Sequence, residues 1–440
     1  MSDLWRREFL HHAEGDPEVF LAHLPPAYRQ TTPPSLAAAD WRQVARLLAG
    51  GDDSLLLWPG GEGDPALLRC FSRHDRYLDD YLSLLRHLGL RILDQERFVF
   101  SLPAATIYLR SFRVEAPQGK PTLAAAAAEV VTLLEAVLAG RCEDDALNEL
   151  VLAAGLSWRW IEVLRAYRNY GFQLGQPYGA QRFRTVLLTQ REIVRLLIDY
   201  FRTRFDPDGF PDPASRREAL QPLRARLLKA LEGIATVDAD RILRGLFHLF
   251  EATVRTNFYR AGAEDRFAFK LKDLQNFALP PPQPRFEVYV HAPTVEAVHL
   301  RADRIARGGI RWSDRPDDFR TEIWELMRTQ MLKNALIVPQ GAKGGFICKR
   351  PRAVKTAYGT FMRALLDLTD NLEDGQVVHP PRVVCHDGDD PYLVVAADKG
   401  TAHLSDTANR IAAEYGFWLR DAFASGGSHG YDYKRLGITA

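Results

Sequence analysis

Between Phe286 and Ala424 short β-branched or aromatic runs alternate with longer amphipathic segments. FEVYVHA and VEAVHL read as strands, DDFRTEIWELMRTQMLKNA as a helix, LIVP and FIC as strands, and AVKTAYGTFMRALLDLTDNL as a helix. PPRVVCHD and YLVVAAD follow as strands, then SDTANRIAAEYGFWLRDAFA as a helix with Ser405 at its N-cap. Few folds accommodate this order. It predicts a parallel or mixed sheet flanked by helices, with ligands at the carboxyl ends of the strands. Lys343 and Asp398 are expected just past such ends.

Upstream the texture differs. The run LPPPQPR (279–285) predicts a linker, because proline sustains neither a helix nor a central strand. Residues 121–275 carry apolar residues at three- and four-residue spacing, hence a helical region with breaks at Gly155 and Gly171 and a loop from Asp206 to Pro213. DPALLRCFS, the amphipathic DRYLDDYLSLLRHLGLRIL, RFVFSL and ATIYLRSFRVEA predict strand, helix, strand, strand, an α+β module of the kind that binds regulatory ligands. The expected domains are a helical segment over 1–63, this module over 64–118, a helical region over 119–278 and an α/β domain over 279–440.

Composition excludes some classes of function. With 440 residues and a net charge of +1, no global field recruits nucleic acid or an anionic membrane surface. No window approaches a membrane span, and the N-terminus lacks a secretory apolar region. Four widely spaced cysteines with no CxxC pair predict a reduced, cytoplasmic chain and no zinc site.

The chemistry concentrates in RGGIRWSDRPDDFRTEIWELMRTQMLKNALIVPQGAKGG (307–345). Arg307, Gly308, Gly309 and Arg311 read as a glycine turn with two cations. Gln330 and Lys333 lie three apart on one helix and so share a face suited to a carboxylate, though lysine at a helix end is also favoured by the dipole alone. Lys343, between glycines in QGAKGGF, is expected in a loop that lets backbone approach a ligand; a plain surface turn is the alternative, and a nucleotide P-loop is excluded by spacing. Asp398 stands where a catalytic carboxylate or an ordinary turn residue would. HDGDDP (386–391) lacks the calcium-loop spacing and reads as a turn.

Taken together, IARGGIRWSDRPDDFRTE, LKNALIVPQGAKGGF, HDGDDPYLVVAADKGTAHLSDTAN and AAEYGFWLRDAFASGGSHGYDYKRLGITA resemble the large NAD-specific glutamate dehydrogenases of bacteria. The resemblance implies an ACT-like module near 65–115, a helical region and an amino-acid dehydrogenase substrate domain. It implies L-glutamate and 2-oxoglutarate as ligands, NAD as cofactor, no metal, and a homo-oligomer of the family's kind as a compatible state. It implies Lys343 and Asp398 as the catalytic pair, Gln330 and Lys333 on the α-carboxylate, and Arg307, with Gly308 and Gly309, on the side-chain carboxylate. In that family a dinucleotide-binding Rossmann domain follows GITA. The sequence stops at Ala440, so the expectation is a chain without the NAD-binding half and with little turnover alone. Two alternatives stay open: a non-catalytic regulatory remnant, and a dehydrogenase of another amino acid.

Overall fold

The computed structural model describes residues 2–60, 64–116, 123–333, 338–351 and 353–428. The chain divides into two compact units, Met1–Ile161 and Glu162–Ala440. No described helix is long and apolar enough to cross a membrane.

The first unit opens with helices Ser2–His12, Glu18–Ala22, Pro26–Thr31 and Pro34–Leu48. Pro26 and Pro34 take the first helical position, where the missing N–H costs nothing. Strands β1 (Ser54–Trp58), β2 (Ala66–Ser72), β3 (Arg91–Ser101) and β4 (Thr106–Glu115) then form an antiparallel sheet in the order β1-β2-β4-β3. β2, β3 and β4 follow the pattern read from the sequence. β1 precedes the expected module, because its run SLLLW lacks the alternation of a half-buried strand. Helix Leu78–His87 lies between β2 and β3, and Gly89 beyond its end has φ +73°. Aromatic side chains bind helices to sheet: Phe20 lies 5.0 Å from Phe100 and Tyr28 5.2 Å from Phe98, centroid to centroid.

Asp40 and Arg69 are buried in this unit as an ion pair at 2.6 Å, with 0% and 2% of their side chains exposed. Burial raises the Asp40 pKa to about 6, even though Arg69 and the Tyr28 hydroxyl favour its ionised form. A carboxyl raised above its unfolded value holds its proton longer when folded. The stability it contributes is therefore full below the ordinary value near 3.8 and is lost as pH rises through about 6. Asp40→Asn is expected to flatten the rise in melting temperature between pH 7 and pH 5, measured by circular dichroism. An unchanged pH slope would contradict the burial argument.

In the second unit, helices Ala180–Thr189, Arg191–Phe205, Pro213–Glu232 and Val237–Ala252 precede the sheet. The loop after Phe205 ends at Asp212, whose carboxylate caps the next helix by accepting from the backbone N–H of Ala214 at 2.8 Å and Ser215 at 2.9 Å. Strands β5 (Thr253–Thr256), β6 (Phe267–Lys272), β7 (Phe286–Ala292), β8 (Val295–Arg301), β9 (Ala306–Trp312) and β10 (Gln340–Cys348) enter one sheet. A small hairpin, β11 (Asn371–Glu373) and β12 (Gln376–Val378), stands apart, and β13 (Val394–Ala397) and β14 (Ala424–Ser425) complete the sheet. Its order is β14-β13-β9-β10-β8-β7-β6-β5. The first four strands of that order run parallel, and from β10 to β5 all pairs are antiparallel. The sheet is mixed, as the alternation of elements implies.

Both faces are covered. On one, Val288, Val290, Ala297, Ile310 and Phe346 pack beneath helices Val354–Asp367 and Ser405–Glu414. On the other, Tyr167 of helix Trp158–Gln173 stacks on Phe269 at 4.0 Å and the Tyr170 hydroxyl donates to Glu287 at 2.7 Å. Arg320 of helix Phe319–Lys333 also donates to Glu287, at 2.9 Å, and the Gln173 amide oxygen accepts from the Arg320 N–H at 3.1 Å. The side chain of one helix thus satisfies a donor in the first turn of the next.

Several local expectations need correction. The proline run joins β6 to β7, two neighbours of one sheet, rather than separating a helical region from an α/β region. β5 and β6 arise within the stretch read as helical. Gly171 lies inside a helix, where a Cβ would come 3.0 Å from the Tyr178 hydroxyl, so it serves packing and not a break. Ser405 is the first helical residue and its hydroxyl donates to the Ser425 carbonyl at 3.1 Å; Leu404 precedes it as cap. Part of LIVP, residues 336–337, lies outside the described residues, and Val338 and Pro339 are not in a strand.

PPRVVCHD forms no strand; the segment is held by buried ion pairs instead. Arg255 meets Asp370 at 2.6 Å and Asp387 at 2.5 Å, while Lys270 and Arg301 meet Asp390 at 2.7 and 2.6 Å. These cations consume two of the carboxylates of HDGDDP. They give that segment a structural role that spacing alone does not reveal.

Candidate active site

In the sheet, β9 lies between β13 and β10, and the three run parallel. Registers of Gly341 with Arg307, Gly345 with Arg311, and Val394 with Arg307 put alternate residues on one face. That face carries Arg307, Gly309 and Arg311 from β9 and Gly341, Lys343 and Gly345 from β10. Asp398, one residue past β13, continues the same row.

RGGIRW is therefore a strand, not a glycine turn, and QGAKGGF begins a strand, not a loop. Lys343 is fixed mid-strand with hydrogen-bonded neighbours on both sides. Its backbone is consequently stiffer than the expected loop would make it.

Lys343 and Asp398 stand on strands separated by β9, so their backbones are about 10 Å apart, two inter-strand spacings. Their side chains nevertheless meet: Lys343 Nζ donates to Asp398 Oδ2 at 2.8 Å. The residue beneath the contact is Gly309. A Cβ there would come within 3.0 Å of both Asp398 Cβ and Oδ2. The missing side chain is what lets the carboxylate lean across the central strand.

The two side chains are 16% and 15% exposed, so the pair is largely but not wholly shielded from solvent. Arg311 Nη2 donates to the other Asp398 oxygen at 3.1 Å, and Arg311 Nη1 to Glu322 at 3.2 Å. The Lys399 backbone N–H donates to Asp398 at 2.7 Å, and the Asp398 N–H donates to Thr401 Oγ1 at 3.1 Å. Burial opposes ionisation of Asp398, but hydrogen bonds from Lys343 and the Lys399 N–H, with Arg311 beside them, outweigh it and hold its pKa below the usual carboxylate value. The arrangement holds a carboxylate ionised and aimed, next to a primary amine with three donor positions.

Helix Phe319–Lys333 roofs this face. It sits close because β10 offers glycines: Cβ atoms at Gly345 and Gly341 would come 2.3 Å from Ile323 Cδ1 and 3.1 Å from Gln330 Cβ. Gln330 therefore lies over the strand two residues before Lys343. Its Oε1 is buried with no hydrogen-bond partner among the described residues, the condition of an amide whose partner is a ligand or water. Arg307 is exposed on the same face. Gly308 is buried, and a Cβ there would strike the Ala342 carbonyl oxygen. The backbone of Lys333 ends the helix, and its side chain lies outside the described residues.

Arg311, Glu322, Ser313 and Thr401 were not assigned roles from the sequence. Ser313 Oγ donates to Glu322 at 2.6 Å and Thr401 Oγ1 to the Ile310 carbonyl at 2.7 Å, so they brace Arg311 and Asp398 from behind. The available signal was parity: Arg311 lies two residues after Gly309, on the face that carries Lys343.

A strand lysine thus meets a strand-end aspartate over glycine, beside an exposed arginine, an arrangement able to pass a proton and to meet an anion. Residues 226–440 match the family described as bacterial NAD-glutamate dehydrogenase, catalytic domain, and residues 142–207 match glutamate dehydrogenase, helical motif 3. The chain belongs to the bacterial NAD-specific glutamate dehydrogenase family. It is 40% identical over 434 residues to the NAD-specific glutamate dehydrogenase of Halomonas elongata, covering 94% of this chain and 27% of that relative. It is 41% identical over 459 residues to that of Mycobacterium tuberculosis, covering 97% and 28%, and 40% identical over 445 residues to that of Pseudomonas aeruginosa, covering 94% and 27%. It thus spans little more than a quarter of these relatives' lengths.

Proposed function

We propose that this chain forms the substrate-binding and acid/base part of an enzyme that oxidatively deaminates L-glutamate to 2-oxoglutarate and ammonia. The observation that carries the reading is the Lys343–Asp398 contact across Gly309. In the proposed reaction Asp398 takes a proton from the substrate amino group and returns it to the departing ammonia. Lys343 hydrogen-bonds the oxygen at the α-carbon and orients the water that attacks the iminium carbon. Arg307 would grip the side-chain carboxylate with its two-pronged guanidinium. Gln330, and Lys333 at the helix end, would hold the α-carboxylate.

NAD, named by all three relatives, would accept the hydride from the α-carbon. The spacing GxGxxG occurs nowhere in the sequence, and no described residue is assigned to that cofactor. The first-unit sheet with its flanking helices supports an ACT-like effector-binding role as part of the same proposal. The cysteine spacing supports a cytoplasmic setting.

The test is ligand-induced stabilisation. 2-Oxoglutarate at millimolar concentration is expected to raise the melting temperature of the purified chain by several degrees, and the shift should vanish in Arg307→Leu. No shift in the parent chain would sink the proposed dicarboxylate site. Arg307 also separates glutamate from an apolar amino acid as substrate. Arg307→Leu in protein that turns over glutamate is expected to raise the KM for glutamate at least tenfold while leaving an apolar amino acid nearly unaffected. Equal losses on both would remove Arg307 as the specificity residue.

A further inference from the structure

Away from the Lys343 face, three potential metal ligands of different chemistry converge. Asp370 lies just before β11, His379 just after β12, and Cys385 in the irregular segment that follows. One ligand atom from each lies within 4.8 Å of the other two. Asp370 is wholly buried and His379 half-exposed, with Nδ1 at 2.8 Å from Asp370 Oδ1. Tetrahedral zinc, with bonds of about 2.0–2.3 Å to oxygen, nitrogen and sulfur, places such ligand atoms roughly 3.3–3.5 Å apart, so His379 must move back from Asp370, whose Oδ1 also accepts from Arg255 Nη1 at 2.6 Å.

We propose that Asp370, His379 and Cys385 form a zinc site with solvent as the fourth ligand. Binding requires the Nδ1 lone pair, so the ring proton moves from Nδ1 to Nε2, and the Cys385 thiol releases its proton to solvent as the sulfur–metal bond forms. The carboxylate facing Nε2 is Asp389, whose Oδ1 lies 3.9 Å away. A carboxylate behind a ligating imidazole is the usual outer-shell arrangement of zinc sites.

His379 also borders a cavity of about 110 Å³, lined besides by Thr369, Asn371 and Arg260 and open to solvent. The metal would tie the 379–390 segment to Asp370, in the stretch of chain that leads into β13 and Asp398. The proposal departs from the no-metal expectation, which rests on cysteine spacing, because the three ligands come together through the fold and not through a motif.

The test uses the full chain with cobalt(II) as a spectroscopic substitute, then zinc. One equivalent of cobalt per chain is expected to give tetrahedral d–d bands and a thiolate-to-cobalt absorption. Zinc should displace cobalt and raise the melting temperature. Cys385→Ser should remove the thiolate absorption, and His379→Gln should weaken zinc binding at least 100-fold. Unchanged circular dichroism of both metal-free variants would exclude misfolding. Failure to retain stoichiometric metal after gel filtration, or cobalt bound without the thiolate absorption, would overturn the proposal. So would full affinity in His379→Gln. Neither result bears on 2-oxoglutarate binding at the Lys343 face, which is read separately.

Discussion

In protein that turns over glutamate, Lys343→Ala is expected to lower kcat/KM for glutamate by about 10²- to 10⁴-fold, the range of a lost acid/base group in the proposed reaction. The variant should remain folded. Asp398 keeps Arg311 and the Lys399 N–H as partners, so the stability loss should be about 1–3 kcal/mol, that of one charge-assisted hydrogen bond. A variant within tenfold of the parent would remove Lys343 from the chemistry.

The same substitution has a signature in acid. Asp398 is held below the ordinary carboxylate value, so its contribution to stability is complete above that value and is lost as pH falls through the lowered one. Without Lys343 the pKa moves back toward the ordinary value, and less stability remains to be lost. The parent should therefore lose more melting temperature than Lys343→Ala between pH 5 and pH 3. Equal losses would mean that the lysine does not hold the carboxylate.

The second large effect is expected from a single methyl group. Gly309→Ala places a Cβ within 3.0 Å of Asp398 Cβ and Oδ2, and the strand beneath cannot retreat because it is hydrogen-bonded on both sides. The Asp398 side chain must give by a few tenths of an ångström, which disturbs its contact with Lys343. A rate loss of up to about 10²-fold, the cost of a full 1 Å misplacement, is the expected range. Global stability should fall far less than in Gly308→Ala, where the new Cβ meets the Ala342 carbonyl oxygen, a backbone atom with nowhere to go. A fully active Gly309→Ala variant would show that the contact across β9 is not used in turnover. The two glycines thus separate a catalytic defect from a folding defect at adjacent positions.

Local pattern made much of the second unit legible. Helix Phe319–Lys333 and helix Val354–Asp367 follow their hydrophobic periodicity, and β7 and β8, buried on both faces, follow their β-branched and aromatic runs. Asp398 falls just past a strand end, as the apolar run before it implied. Lys343 was singled out by its glycines, but for a different reason from the one the fold supplies. Glycine beside a reactive lysine suggests a flexible loop when read locally. In the sheet, the same glycines are the places where a helix and a neighbouring carboxylate come close to a strand. β5 is only four residues long and too short to show a period, and the alternation in FAFKLK, Phe267, Phe269 and Leu271 against Ala268, Lys270 and Lys272, is brief beside the helical runs that precede it.

By itself the sequence determined the alternation of strands and helices, the residue types of the site and the family to which they belong. These depend on neighbours a few residues apart, where side-chain period and backbone preference act. Only the tertiary structure decided that Lys343 and Asp398 touch, that Gly309 lies beneath them, and that Arg311 takes the second oxygen. It also decided that Asp370, His379 and Cys385 converge. Those contacts depend on strand order and register, which arise when separate segments bury their apolar faces against one another, and no local spacing encodes which strand lies between two others.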